Sequence, residues 1–228
     1  MQGLKHMFGY GVQAKDGRIG KVEDFFVEEA SWTVRYMVVR TGGLLSGERT
    51  LTPINCVTST DVDSRTINVS FSRSELADVA PPGDVCPVSV EMENCLKALY
   101  GGADYRRDSG FIRVGCELAQ VPRKVSSLRS VREITTYHIE TIEGPCGLCT
   151  DLLAHTENWS IPYLVVNTKE WMPHGHVLVP SAWVRHISWA EMQTAVNVHR
   201  PRMQHAQRFD PASHDVWHGG VKPLHRSA

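Results

Sequence analysis

Cys146-Gly-Leu-Cys149 is the spacing in this chain that by itself could do chemistry, either as a redox pair or as half of a zinc site. His174, His176, His155 and His186 lie in the same stretch and could add imidazole ligands to a metal. A zinc site built on thiolates wants a second Cys-x-x-Cys, which the sequence lacks. Asp24 and Asp151 would make an acid/base couple only if they faced each other. There is no Gly-rich phosphate loop, no nucleophile elbow and no His-Glu-x-x-His.

A repeat decides how these residues are read. Residues 10 to 41 lie over residues 137 to 168 at a constant offset of 127, with nine identities in thirty-two positions, where about two are expected from average composition. The identities are Tyr10/Tyr137, Gly17/Gly144, Gly20/Gly147, Asp24/Asp151, Trp32/Trp159, Tyr36/Tyr163, Val38/Val165, Val39/Val166 and Thr41/Thr168. After a slip in the following loop the offset returns at Leu51/Leu178, Pro53/Pro180, Val57/Val184, Val69/Val196 and Arg73/Arg200. A repeat of this length implies duplicated domains rather than a solenoid.

Cys146 then falls on Ile19 and Cys149 on Val22, apolar positions of the first copy, so both read as buried core thiols. Cys56 aligns with Trp183 and also reads as core, while Cys86, Cys95 and Cys116 lie between the copies with no evident pairing. The first copy has Glu28, Ser46, Glu48 and Ser59 near the places of the second copy's histidines, which argues against a metal. Asp24 and Asp151 are expected on separate units. Each is read as a local carboxylate on a strand's outer face, Asp24 reaching Arg35 across a hairpin and Asp151 losing that partner to Pro162.

The elements that position these residues are short strands. Trp32, Val34, Tyr36 and Val38 alternate with period two, as do Ile67, Val69 and Phe71, and less cleanly Ala182, Val184 and His186. Asp16-Gly17 reads as a hairpin turn. The pattern predicts small barrels closed on themselves, over 10–73 and 137–200. Residues 74–136 read as a linker with a helix at 88–100, where Met92, Cys95, Leu96 and Leu99 share a face, and 201–228 as a disordered tail.

Composition narrows the function classes. The chain has 228 residues, 42% of them hydrophobic, with 24 Lys and Arg against 25 Asp and Glu for a formal charge of −1. That leaves no global field for nucleic acid or an anionic bilayer, although Arg106, Arg107, Arg113, Arg123, Lys124, Arg129 and Arg132 make one segment locally basic. No apolar run is long enough to span a membrane and no signal-peptide pattern opens the chain, so the expected location is cytoplasmic. Six cysteines are then free thiols.

The stretch DGRIGKVEDFFVEEASWTVRYMVV, with Asp-Gly, Ile-Gly-x-Val and Trp-x-Val-Arg-Tyr-x-Val-Val, resembles the opening of a PRC-barrel domain. The second copy keeps Gly144, Gly147, Asp151, Trp159, Tyr163, Val165 and Val166, and adds Trp171-Met172-Pro173, similar to the family's loop. It departs at Glu143, Cys146, Cys149 and Pro162. The resemblance implies a mainly β chain of two six-stranded, partly open barrels in tandem, with a short helix between them. It extends to the soluble domain of the photosynthetic reaction-centre H subunit, to ribosome maturation factors and to tandem bacterial proteins, and it brings no catalytic residue, cofactor or metal.

The expected function is a noncatalytic adaptor that binds protein partners and gains avidity from two sites, linked to membrane-associated or photosynthetic assemblies. Homo-oligomerisation stays open. Partner contacts are assigned to the loop tips Leu44, Leu45, Trp171 and Met172. The alternatives are a ribosome- or RNA-associated factor and a metal- or redox-dependent enzyme using Cys146 and Cys149.

Overall fold

The computed structural model describes residues 1–42, 48–76, 128–169, 172 and 175–211. The helix expected at 88–100, three of the cysteines, Leu44, Leu45 and Trp171 lie outside these residues, as does the chain from 212 onward.

Two β-sheets account for nearly all the regular structure among the described residues. The first holds β2 (Gly11–Ala14), β3 (Gly17–Glu28), β4 (Thr33–Thr41), β5 (Glu48–Pro53), β6 (Val57–Asp61) and β7 (Thr66–Val69), followed by the helical turn α1 (Arg73–Leu76). The second holds β9 (His138–Thr141), β10 (Gly144–Ala154), β11 (Tyr163–Asn167), β12 (His176–Pro180), β13 (Val184–Ser188) and β14 (Gln193–Val196), followed by α3 (Arg200–Gln204). Their paths are β5-β4-β3-β2-β7-β6 and β12-β11-β10-β9-β14-β13. The order is the same, including the parallel pairs β2 with β7 and β9 with β14.

The closed barrels expected from strand count are not formed by hydrogen bonding. In each copy the strands at the two ends of this six-strand path are consecutive in the chain and are joined by a 3-10 turn of three residues, Ile54–Cys56 or Ser181–Trp183. So short a connection brings the end of one of these strands beside the start of the other, yet no ladder joins β5 to β6 or β12 to β13 among the described residues. Ala182, read as part of a strand, belongs to this turn, and β13 starts at Val184.

The hairpin turns are where the sequence places them. Gly17 and Gly144 hold φ of +142° and +117°, open to glycine without strain. The acid before each glycine caps the helical segment that closes its copy: Asp16 accepts from the Arg73 N–H at 2.7 Å, and Glu143 accepts from the Arg200 N–H at 2.9 Å.

One apolar cluster runs through both sheets. Phe25, Val34, Met37 and Val39 from the first share it with Leu152, Trp159, Leu164 and Val166 from the second, and the rings of Phe25 and Trp159 stand 6.0 Å apart. The opposite face of each central strand trio is covered separately. Phe26, Tyr36, Val38 and Leu51 pack with Leu128, whereas Leu153, Val165 and Leu178 pack with Tyr163 and Phe209. The tail expected to be disordered from 201 therefore contributes α3, Phe209 and β15 (Gln207–Arg208), which pairs with β12. The linker expected to run to 136 is likewise structured from Leu128, as β8 (Leu128–Ser130) and α2 (Val131–Ile134). No helix among the described residues is long and apolar enough to cross a membrane.

Candidate functional site

The long strands β3 and β10 each carry two bulges, at matching places. Val12 faces Gly20 and Gln13 faces Arg18, which leaves Ile19 as the extra residue; in the second copy Ile139 faces Gly147, Glu140 faces Pro145, and Cys146 is extra. Further along, Glu23 and Thr150 are the extra residues against β4 and β11. A bulge bends the strand and re-aims the side chains after it. The second bulge separates two adjacent carboxylates: Glu23 accepts from Arg40 at 2.9 Å and from Arg49 at 2.8 Å, while Asp24 turns the other way. The two arginines hold the Glu23 carboxyl down at about 2.

Asp24 is 8% exposed and reaches the other copy's leading segment. Its carboxylate accepts from the Ser130 hydroxyl, from the Arg132 N–H at 3.0 Å and from the Phe25 N–H at 2.8 Å. Ser130 is also the N-cap of α2, its hydroxyl accepting from the Glu133 N–H at 3.2 Å. Asp151 does the equivalent in reverse. It accepts from the Lys5 N–H at 2.8 Å and the Leu152 N–H at 2.7 Å. Desolvation raises both carboxyls, that of Asp151 to about 6.

The strands beside these clamps are exchanged too. β8 pairs with β3 through Phe26↔Ser130 and Val27↔Arg129, and β1 (Gln2–Gly3) pairs with β10 through Leu153↔Gly3 and Ala154↔Gln2. A third reciprocal contact joins the hairpin ends: the Val34 N–H donates to the Trp159 carbonyl at 2.9 Å, and the Ile161 N–H donates to the Trp32 carbonyl at 2.7 Å. Both tryptophans have positive φ, +48° and +58°, a strained choice for so large a side chain. All three contacts obey the offset of 127, so the junction is built like a two-fold dimer interface within one chain.

Residues 7–76 match the PRC-barrel domain. No curated protein matches the chain. The matched PRC-barrel domain begins earlier than the repeat at residue 10, and it takes in the turn at Met7 that leads into β2. A sequence signal for this turn exists: Leu4 and Met7 on the first copy's side correspond to Val131 and Ile134, an apolar pair at the same spacing and the same offset. All four are fully buried.

The assignment of Asp24 to Arg35 is corrected by this geometry. Asp24 lies opposite Val38 on the outer face and is covered there by Ser130 and Arg132, and Arg35 instead pairs with Glu28, its Nε donating at 3.0 Å. The two aspartates lie on separate sheets, as expected, and each contributes to the junction between them. Cys146 and Cys149 are buried core thiols, the first pushed up by burial to about 12 and the second raised further in the same direction. Burial therefore favours the neutral thiol at both positions. Cys56 is half-buried, and burial pushes its thiol up to about 11.

His155 follows β10, His176 opens β12 and His186 lies in β13; His174 is outside the described residues. No cluster of three or more His, Cys, Asp or Glu able to hold a metal occurs among the described residues. Of the four loop-tip residues, Met172 alone is described, and it sits 8% exposed in the shared core. Large apolar side chains are exposed elsewhere on the second copy: Ile142, Trp189 and Met192, each more than half exposed.

Proposed function

We propose that residues 137–200 are a second PRC-barrel domain and that the pair forms one rigid, noncatalytic adaptor for protein partners. The observation that carries this reading is the reciprocal junction. Exchanged strands, buried carboxylate clamps and a common core set the two units in a fixed relation, which is what a scaffold requires and what catalysis in either unit would not. The identical strand order and matching bulges support the second domain. The surfaces that differ between the copies support an adaptor with two unlike faces.

The β13–β14 hairpin is the first place to look for a partner, because Trp189 and Met192 expose about half their surface there, where the first copy has Val62 and Arg65. Membrane-associated and photosynthetic assemblies are the first to search, given the likeness to the H subunit's soluble domain. The test is affinity capture from cells grown under several conditions, with the intact chain and with a Trp189→Arg, Met192→Arg variant. A stoichiometric partner held by the intact chain and lost by the variant is expected. No stoichiometric partner, or one held equally by both, overturns the reading.

A further inference from the structure

We infer that the first copy carries a binding site for a small polyphosphate-bearing anion, in the cleft between the β2–β3 hairpin, the end of β4 and α1. The cleft has a volume of about 570 Å³ and is lined by Arg18, Ile19, Gly20, Lys21, Arg40 and Arg73, with Gly42 at its rim. Four cations converge there in a chain whose formal charge is −1.

The carboxylates nearby leave most of that charge available. Glu23 holds Arg40 and is shared with Arg49. Asp16 is turned to the Arg73 N–H and Glu75 to the Ser72 N–H and hydroxyl. Arg18, Lys21 and Arg73 make no side-chain ion pair among the described residues. The bulge at Ile19 breaks the alternation of β3, which is how neighbouring residues of one strand come to line the same cleft. Arg18 lies over Gly11, where a Cβ would stand 3.1 Å from its Nη2, so the glycine leaves room for the guanidinium.

The second copy supplies the internal contrast. Its equivalents of Arg18, Lys21 and Arg40 are Pro145, Leu148 and Asn167, and His138 replaces Gly11. The one arginine it keeps, Arg200, is used structurally: its Nη2 donates to the Pro145 carbonyl at 2.7 Å. The fold therefore does not need the cationic set. What remains to account for it is a ligand, and three cations with no ion pair among the described residues, in a cleft of small-molecule size, fit two or three linked phosphates. The site is independent of the adaptor reading, since it uses neither the junction nor the β13–β14 hairpin.

The experiment is calorimetric titration of the full chain with inorganic tripolyphosphate at about 50 mM salt, where phosphate contacts are strong, alongside Arg18→Gln, Lys21→Gln, the double variant, and Arg202→Gln in the second copy as control. One saturable site per chain is expected, weakened about tenfold by each single change on the first copy, lost in the double variant, and unchanged in Arg202→Gln. Arg18 and Lys21 are exposed, so melting temperatures should match the parent and separate a lost site from a lost fold. Absence of saturable binding at low salt overturns the proposal, as does binding that survives the double variant. A single-stranded RNA oligomer that binds and is not displaced by tripolyphosphate would also overturn it, in favour of a nucleic-acid surface.

Discussion

The two copies share a backbone plan and differ in where they are soft, charged or dry. In the first, polar pairs surround the strands: Glu23 with Arg40 and Arg49, Glu28 with Arg35, and a cationic cleft at the hairpin. In the second, Thr150 stands in for Glu23, Pro162 for Arg35 and Asn167 for Arg40, and the thiols of Cys146 and Cys149 fill the places of Ile19 and Val22. What neither copy has given up is the junction. The outward surfaces differ between the two sheets, while the exchanged strands and the two aspartates are alike in both, each sheet completing the other. The half-junctions are themselves unequal. Ser130 bonds Asp24 through its hydroxyl, but its counterpart Gly3 leaves space, since a Cβ there would fall 2.3 Å from the Asp151 carboxylate.

The largest expected effect tests whether the junction is one interface or two. Trp159 is buried against Phe25, whereas Trp32 is half-buried at the equivalent place. Trp159→Ala should cost about 3–5 kcal/mol, the usual loss for a large buried aromatic, and Trp32→Ala about 1–2 kcal/mol. Urea denaturation measures both. Because the apolar cluster spans the two sheets, each variant should still unfold in one transition. Two separated transitions would break the comparison by showing that the copies fold independently.

The clamps come next. Asp24→Ala leaves the Ser130 hydroxyl and the Arg132 N–H without their acceptor, and should cost about 2–3 kcal/mol. Asp151→Ala removes the Lys5 acceptor and should cost about 1–2 kcal/mol, the smaller figure because Asp151 is less buried and has no hydroxyl partner. Equal losses would show that the Ser130 contact adds nothing.

These residues also show what could be read from the chain beforehand. The strands of both copies, their hairpin turns and the core role of Cys146 and Cys149 were legible, because period-two alternation and a second copy to align against are local signals. The exchange of β1 and β8 was not. Two- and three-residue strands have no period, and their partners lie in the other copy, chosen by tertiary placement. The partners of Asp24 were hidden for a different reason: Ser130 and Arg132 lie 106 and 108 residues along the chain and reach it only because β8 pairs with β3. The cationic cleft gathers Arg18, Lys21, Arg40 and Arg73 from three separate segments. The ordered stretch through Phe209 was missed because a polar, aperiodic sequence gave no sign that one aromatic side chain would cover the outer face of the second sheet.

Acid should act on Glu23 and Asp151 in opposite directions. Glu23 has its carboxyl lowered to about 2, so it stabilises the fold above about 4.5 and loses that contribution as the pH falls from there toward 2. Asp151 is raised to about 6. Its folded form takes up a proton before the unfolded chain does, so stability rises by about 2 kcal/mol as the pH falls from about 7 to about 4. Urea midpoints measured from about pH 7.5 to about pH 3 should therefore climb and then drop. Asp151→Asn should shrink the climb to the part that Asp24 contributes and keep the drop, and Glu23→Gln should flatten the drop. A midpoint that falls steadily below about pH 7 in the parent would contradict the Asp151 half of this pair.

The smallest effect separates decoration from architecture. Arg35 and Glu28 face each other across the β3–β4 hairpin, partly open to solvent, and pairs of that kind contribute about 0.5 kcal/mol. Arg35→Ala should cost no more than that, and most of the difference should vanish at about 0.5 M salt. In the second copy Pro162 takes the place of Arg35, and β11 begins only at Tyr163, whereas β4 begins at Thr33, because proline has no N–H to give to a ladder. The second hairpin thus lacks both the ion pair and the start of the strand, yet Ile161 still donates to the Trp32 carbonyl just before the proline. A salt-sensitive loss confined to Arg35→Ala would place the pair outside the shared plan. A loss above about 2 kcal/mol, well beyond the range of an exposed pair, would mean that the first copy depends on a contact the second has done without.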